Sequence, residues 1–253
     1  MKFYTFILLL LIFPVLTEAQ VLNIERERIK TDTTGWSGTG KLSLNLLSNL
    51  ERFTQVGLNL HVQYKTQRSL YLALSDYEVI KSEKDDFSNK GMQHLRYNYK
   101  LNKFLTLEGF TQAQFNKVLN LKFRGLVGAG TRFKILGRDN FRIYSGLAYM
   151  FEHEVPQSDA VSVAENNHRL SSYVSFTLKL NSNFSLINTS YFQPRIDYFT
   201  DYRIANNLNM VFKITRRLSY ALMLEHLIDN RPLKSIPREI YSLRNTLILD
   251  FGK

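Results

Sequence analysis

The sequence predicts an all-β fold, a transmembrane antiparallel up-and-down β-barrel of about 12 strands. Three observations predict it. After residue 20 the chain becomes a run of segments in which apolar and polar residues alternate. A period of two marks a strand with one oily and one wet face. No stretch in that region is apolar enough for a transmembrane helix, which needs about 20 such residues. The chain also opens on a secretory signal.

The elements follow in order. Residues 1–19 read as the signal peptide. Lys2 supplies positive charge, and Thr5 to Leu16 is almost wholly apolar and interrupted by Pro14. Thr17-Glu18-Ala19 sets small residues where a signal peptidase reads, so cleavage is expected after Ala19. Residues 20–34 form a charged periplasmic lead segment, in which Ile24, Arg26 and Arg28 suit a short extra strand. Residues 35–253 form the barrel. Its strands are expected near 35–47, 52–64, 68–82, 91–100, 103–116, 121–136, 140–153, 168–180, 184–195, 201–214, 217–230 and 239–252.

Turn chemistry separates them. Leu101-Asn102-Lys103, Gly137-Arg138-Asp139-Asn140 and Asn181-Ser182-Asn183 are short and rich in residues that tolerate tight bends. Longer breaks fall at 83–90, 154–167, 196–200 and 231–238. Tight periplasmic turns alternating with longer outer loops are the habit of outer-membrane barrels. An even strand number leaves both ends of the barrel domain on the periplasmic side.

Faces can be assigned. Leu105, Leu107, Thr111, Ala113 and Phe115 alternate with Thr106, Glu108, Phe110, Gln112, Gln114 and Asn116. Leu121, Phe123, Val127, Ala129, Phe133 and Ile135 alternate with Lys122, Arg124, Gly128, Gly130, Arg132 and Lys134. Aromatics collect at the ends of the apolar faces. Phe133, Phe141, Phe212, Tyr220 and Phe251 make an inner girdle, and Phe123, Tyr149, Phe151, Tyr202 and Tyr241 an outer one. A soluble sandwich gives the same alternation. The girdles argue against it, as do segments of about 10–14 residues, longer than the usual globular strand.

Composition narrows the function. With no cysteine, lipoprotein anchoring, disulfides and thiolate metal sites are excluded. The formal net charge is +11. The bases are spread over every segment, so anionic lipid head groups, phosphates or acidic glycans suit them better than nucleic acid. Outer-membrane lipid and the barrel assembly machinery are the expected partners, with small anions or envelope proteins beside them. No cofactor is expected.

The stretch from Thr31 to Gly38 (TDTTGWSG), with His61-Val62-Gln63-Tyr64-Lys65-Thr66, Leu95 to Asn102 (LRYNYKLN) and Glu108 to Asn116 (EGFTQAQFN), resembles a bacterial family. Lys122-Phe123-Arg124 and Gly128-Ala129-Gly130-Thr131-Arg132-Phe133 continue the likeness. Together they resemble the salt-induced outer-membrane proteins, a domain of unknown function. The resemblance implies a Gram-negative outer-membrane barrel and, by name alone, a link to salt stress. It transfers no functional residue.

Three constellations are candidates for chemistry. The first is the lumen lining: Arg96, Glu108, Lys122, Arg124, Arg132, Lys179, Arg203, Glu225 and Arg244. Such a lining makes either a narrow anion-preferring path or an interior plugged by paired Arg and Glu, and a barrel narrower than the large porins favours the plug. The second is Glu152-His153-Glu154 with Asp159, Glu165 and His168, whose spacing fits no known zinc motif and reads as a solvated acidic loop. The third is lipid hydrolysis, from His168 near Ser171 and Ser172, or from Glu225-His226. Strand neighbours point to opposite faces and no Gly-x-Ser-x-Gly elbow exists. The expectation is therefore a non-enzymatic envelope protein that is structural, partner-binding or stress-related. A porin-like channel is the alternative, and a lipid hydrolase a more distant one.

Overall fold

The computed structural model describes residues 34–48, 52–82, 88–117, 119–157, 163–232 and 236–252. The signal peptide and, apart from Thr34, the lead segment lie outside these residues. Twelve strands follow: β1 (Gly35–Ser48), β2 (Arg52–Lys65), β3 (Ser69–Ser82), β4 (Ser88–Lys100), β5 (Leu105–Asn116), β6 (Leu121–Gly137), β7 (Phe141–Pro156), β8 (Glu165–Lys179), β9 (Phe184–Pro194), β10 (Tyr202–Lys213), β11 (Leu218–Asp229) and β12 (Glu239–Gly252). Each pairs antiparallel with its sequence neighbours, and β1 pairs with β12 to close the barrel. Closure pairs the first and last strands, whose edges hydrocarbon would otherwise leave without a partner.

The short turns work as their residues suggest. The Asn102 side-chain oxygen accepts from the Phe104 and Leu105 amides at 2.8 and 2.9 Å. Asn181 does the same for Asn183 and Phe184. The Thr215 hydroxyl oxygen accepts from the Leu218 amide at 3.0 Å. These turns, with those at 66–68 and 138–140, lie at the end of the barrel where β1 begins and β12 finishes, here the terminus end. The longer connections 157–164, 195–201 and 230–238 lie at the other, distal end. Asn120, at φ 53°, takes the left-handed conformation that Asn tolerates in the β5–β6 turn.

Several strands run past the expected bounds at the distal end. β4 begins at Ser88, β7 continues to Pro156 and β8 begins at Glu165. Backbone pairing does not require an apolar side chain, so Glu152, His153 and Glu154 stay on the ladder opposite Asn167, Asn166 and Glu165.

The polarity of the two faces is the reverse of a soluble domain. Leu42, Leu58, Leu95, Val127, Leu147 and Leu247 are exposed on the outside, Leu42 at 60 %. Ser37, Gln63, His94, Gln112, Asn167 and Asn207 are buried inside, Gln63 at 1 %. A contiguous oily exterior of this extent fits a bilayer rather than water. Aromatic pairs border it at both ends. Trp36–Tyr64 and Tyr71–Tyr97 stand with centroids 5.0 Å apart at the terminus end, where Phe184, Phe212 and Tyr220 continue the belt. Tyr77–Phe115, Phe192–Tyr202 and Tyr149 beside His168 form the distal belt. The Phe251 side chain lies outside the described residues.

One face assignment is corrected at β6. The ladder with β7 shifts between Leu121 and Phe123, and a second shift lies between Lys134 and Leu136. Lys122 is the extra residue of the first bulge and is exposed, while Leu121 is buried in the interior. An extra residue on one strand reverses the side on which its neighbours fall. Lys122 is therefore not a lumen-lining residue.

The glycines of β6 and β7 make room for rings. A Cβ on Gly128 would strike the ring of Phe110, and one on Gly146 would strike Tyr173. The glycines let these aromatic side chains lie across the inner wall, so they are packing positions rather than a phosphate cradle.

Candidate functional site: the barrel lumen

The lumen divides into three levels. At the distal level the inward alternation of β6, β7, β8, β10 and β11 brings Arg124, Glu152, Glu154, Arg169, Arg203 and Asp229 together, and the 195–201 connection adds Asp201. Arg203 donates to Glu152 at 2.6 Å, to Glu154 at 3.1 Å and to Asp229 at 2.8 Å. Arg169 donates to Glu152 and to Asp201, both at 3.1 Å, and to the Gln193 carbonyl. Arg124 reaches Glu154 at 2.7 Å and Glu152 at 3.6 Å. Glu152 and Arg169 are 1 % and 2 % exposed. β7 and β10 are not neighbours, so the Arg203–Glu152 contact is a chord across the lumen rather than a bridge along the wall. Glu152, Glu154 and Asp201 are each met by more than one guanidinium, and Asp229 by Arg203 and the Arg231 amide, the condition under which buried charge is tolerated.

Outside this level, Arg195 in the 195–201 connection donates to Asp197 at 2.7 Å and to Asp201 at 3.4 Å. The hydrogen bond from Arg195 holds the Asp197 carboxyl below its usual range, and the same bond raises Arg195.

At the middle level the lining is amide, imidazole and aromatic. His94 shares a hydrogen bond with the Gln112 oxygen at 2.9 Å, and the Gln112 amide donates to Gln114 at 2.6 Å. Arg96 pairs with Glu108 at 2.9 Å and lies over the Phe110 ring. Tyr173 and Tyr191 pack together with Ala205 and Leu227. A cavity of about 60 Å³ lies between the β4–β9 groups of this level and the ion pairs above them.

At the terminus end the lumen widens and its charge changes. A cavity of about 250 Å³ is lined by Arg68, Lys100, Arg132, Lys134, Arg142 and Lys179 among others, with no carboxylate among the described residues of its lining. The Arg132 guanidinium stacks 3.6 Å from the Tyr144 ring centroid. A second cavity of about 350 Å³ beside it shares Lys179 and adds Lys41, Lys213 and Arg216, with Asp250 as its acid.

The residues singled out in the sequence fall as follows. Arg124 and Arg203 join the distal lattice. Arg96 and Glu108 form the middle pair. Glu225 and Arg244 face each other at 3.5 Å between β11 and β12. Arg132 and Lys179 line the basic end. Lys122 is outside, for the reason given above. Sequence reasoning missed Arg169, Asp201 and Asp229 and assigned Glu152 and Glu154 to a solvated loop. It also missed Arg68, Lys100 and Arg142. No local signal marks them, because each group is assembled from several strands and connections, and one strand's own pattern does not tell which residues converge on the same level of the lumen.

Strand alternation separates sequence neighbours in the metal and hydrolase constellations, while His168 and Ser172, four residues apart on β8, share its outer face. Among the described residues no three His or carboxylate side chains are grouped to hold a metal ion, and Asp159 lies outside them. His153 points outward to Asn166 while Glu152 and Glu154 point inward. His168 faces outward and bonds the Tyr149 hydroxyl. Ser171 faces inward and accepts from Gln193, and Ser172 donates to the Phe192 carbonyl. His226 faces outward to Glu239 at 2.7 Å, while Glu225 faces inward to Arg244.

The family profile described as "Protein of unknown function, DUF481" matches residues 31–251. No curated protein matches the chain. Among solved structures it is similar to the COG4313 outer membrane channel from Pseudomonas putida F1, with a TM-score of 0.55 and 11 % identity over 92 % of this chain and 100 % of that one. The NanC porin gives 0.52 and 11 % over 87 % and 100 %. The translocator domain of the autotransporter NalP from Neisseria meningitidis gives 0.50 and 10 % over 88 % and 91 %. At these identities the likeness is one of fold: an outer-membrane β-barrel.

Proposed function

The chain belongs to the DUF481 family of proteins of unknown function, and we propose that it is a non-enzymatic outer-membrane barrel, closed near its distal end, that serves the envelope as a structural or partner-binding element. The observation that carries this reading is the chord from Arg203 to Glu152 and Glu154, reinforced by Arg124 and Arg169. A hydrated ion crossing this level would have to break charge-assisted hydrogen bonds whose partners are buried, at several kcal/mol. The short turns and both barrel ends support a terminus end that faces the periplasm, with the distal loops outside and outer-membrane lipid around the apolar band. The barrel assembly machinery is the expected partner in biogenesis, and the signal peptide is expected to be cleaved after Ala19.

Recording from the refolded protein in planar bilayers tests the closure. The wild-type protein is expected to pass no discrete current steps at neutral pH. Steady steps in the wild type would refute it. A second reading, a narrow anion-preferring channel, is favoured by the basic cavity at the terminus end. It predicts wild-type conductance with anion selectivity that falls in Arg132→Ala.

A further inference from the structure

We propose that the basic cavity at the terminus end is a binding site for a soluble ligand bearing two or more phosphate-type groups, entering from the periplasmic side. It rests on the barrel and its orientation but not on distal closure, so the conductance recording and the test below fail independently.

Charge is sorted along the barrel axis. Most carboxylates of the lumen lie in the middle and distal levels, where Glu108, Glu152, Glu154, Asp201 and Asp229 are each held by arginine, while Asp250 lines the neighbouring cavity. The terminus-end cavity has basic residues from the β2–β3 turn, β4, β6, β7 and β8, and no carboxylate among the described residues of its lining. A structural lumen filler would mix the signs, as the distal level does. Like charges gathered in a low-dielectric cup cost free energy that a counter-ion recovers, and the cup concentrates field on whatever anion enters.

The geometry narrows the ligand. The cations come from five elements spread along the wall between the β2–β3 turn and β8, so they reach the space from several sides instead of presenting one fork. A planar carboxylate is satisfied by one bidentate arginine, whereas a phosphate spreads its charge over several oxygens and accepts from several sides. A space of about 250 Å³ admits a small polyphosphate or a phosphorylated metabolite rather than a folded partner. Tyr144, already under the Arg132 guanidinium, fixes that donor against the wall facing the space.

The same phosphate chemistry is carried by lipid head groups, and the lumen position separates the two sources: the strand cations Lys100, Arg132, Lys134, Arg142 and Lys179 belong to inward-facing rows, on the far side of the wall from the bilayer. The experiment is calorimetric titration of inorganic pyrophosphate into the protein refolded in zwitterionic nanodiscs at low salt. Saturable binding at one site per barrel is expected. It should weaken at least about tenfold in Arg142→Gln/Lys179→Gln, and in wild type as salt rises. Lys122→Gln, which removes a charge from the outside of the distal end, should bind as wild type does, and heat-dependent gel mobility establishes that each variant is folded. Absence of saturable binding would overturn the proposal. So would equal weakening in Lys122→Gln, which reports net charge only. Loss of pyrophosphate affinity in phosphatidylglycerol nanodiscs would also overturn it, by placing the site on the lipid-facing rim.

Discussion

Replacing Arg203 with alanine removes three donors from the distal lattice at once. Glu152 retains Arg169 at 3.1 Å and Arg124 at 3.6 Å, and Glu154 retains Arg124 at 2.7 Å. Asp229 loses its guanidinium at 2.8 Å and keeps the Arg231 amide at 3.0 Å. Breaking a buried pair by deleting one partner costs about 3–5 kcal/mol. Two of the three carboxylates keep an arginine here, so the lower figure, about 3 kcal/mol, is expected. Urea unfolding from lipid vesicles measures it. Trp36, the single tryptophan, stands 66 % exposed on the outer face and reports departure from lipid. The double variant Arg203→Ala/Asp229→Asn should recover about 1–2 kcal/mol, because it also removes the stranded charge. The same Arg203→Ala protein should pass current in a planar bilayer. A loss below about 1 kcal/mol, the worth of a solvent-exposed pair, would refute the argument by showing that water already screens this level.

Val127→Arg, on the outer face at mid-strand, should cost about 2–4 kcal/mol in the same urea assay, whereas Val127→Leu should be nearly neutral. Gly146→Val should destabilise by about 1–3 kcal/mol because its side chain meets Tyr173, and Tyr173→Ala in the same chain should relieve part of that loss; additive losses would contradict the contact. The Asp197 carboxyl is held low by Arg195, so their clasp is present above the ordinary aspartate pKa and is lost only as pH falls through the lowered value. A carbon-detected NMR titration should show this, with Arg195→Gln returning Asp197 to the usual range.

Strand number, turns and the polarity of the two faces were legible because a period of two survives in sequence without knowledge of any partner. Glu108 and Gln112 on β5 read inward from their own strand and are buried there. Lys122 shows where that reading stops. Leu121, Lys122 and Phe123 alternate without a break, and only the count of residues on β7 opposite them shows that one is surplus. β11 shows a second limit. Ala221, Met223 and Leu227 point inward as apolar residues, so its two faces do not differ enough for alternation to choose between them. The distal lattice was illegible for a third reason. Arg169 and Asp201 meet across a fold, and no local pattern encodes which residues face each other over a space.

The joint between the first and last strands runs only from Ser37–Gly252 to Leu42–Leu247, whereas β1 follows β2 from Gly35–Lys65 to Ser48–Arg52. Fewer backbone bonds fasten that joint than any hairpin around it, and no covalent loop backs them. Thermal or mechanical rupture should therefore begin as a slit between these two strands, and a cross-link engineered from Gly40 to Leu249, which sit opposite each other, should delay the unravelling of the whole wall.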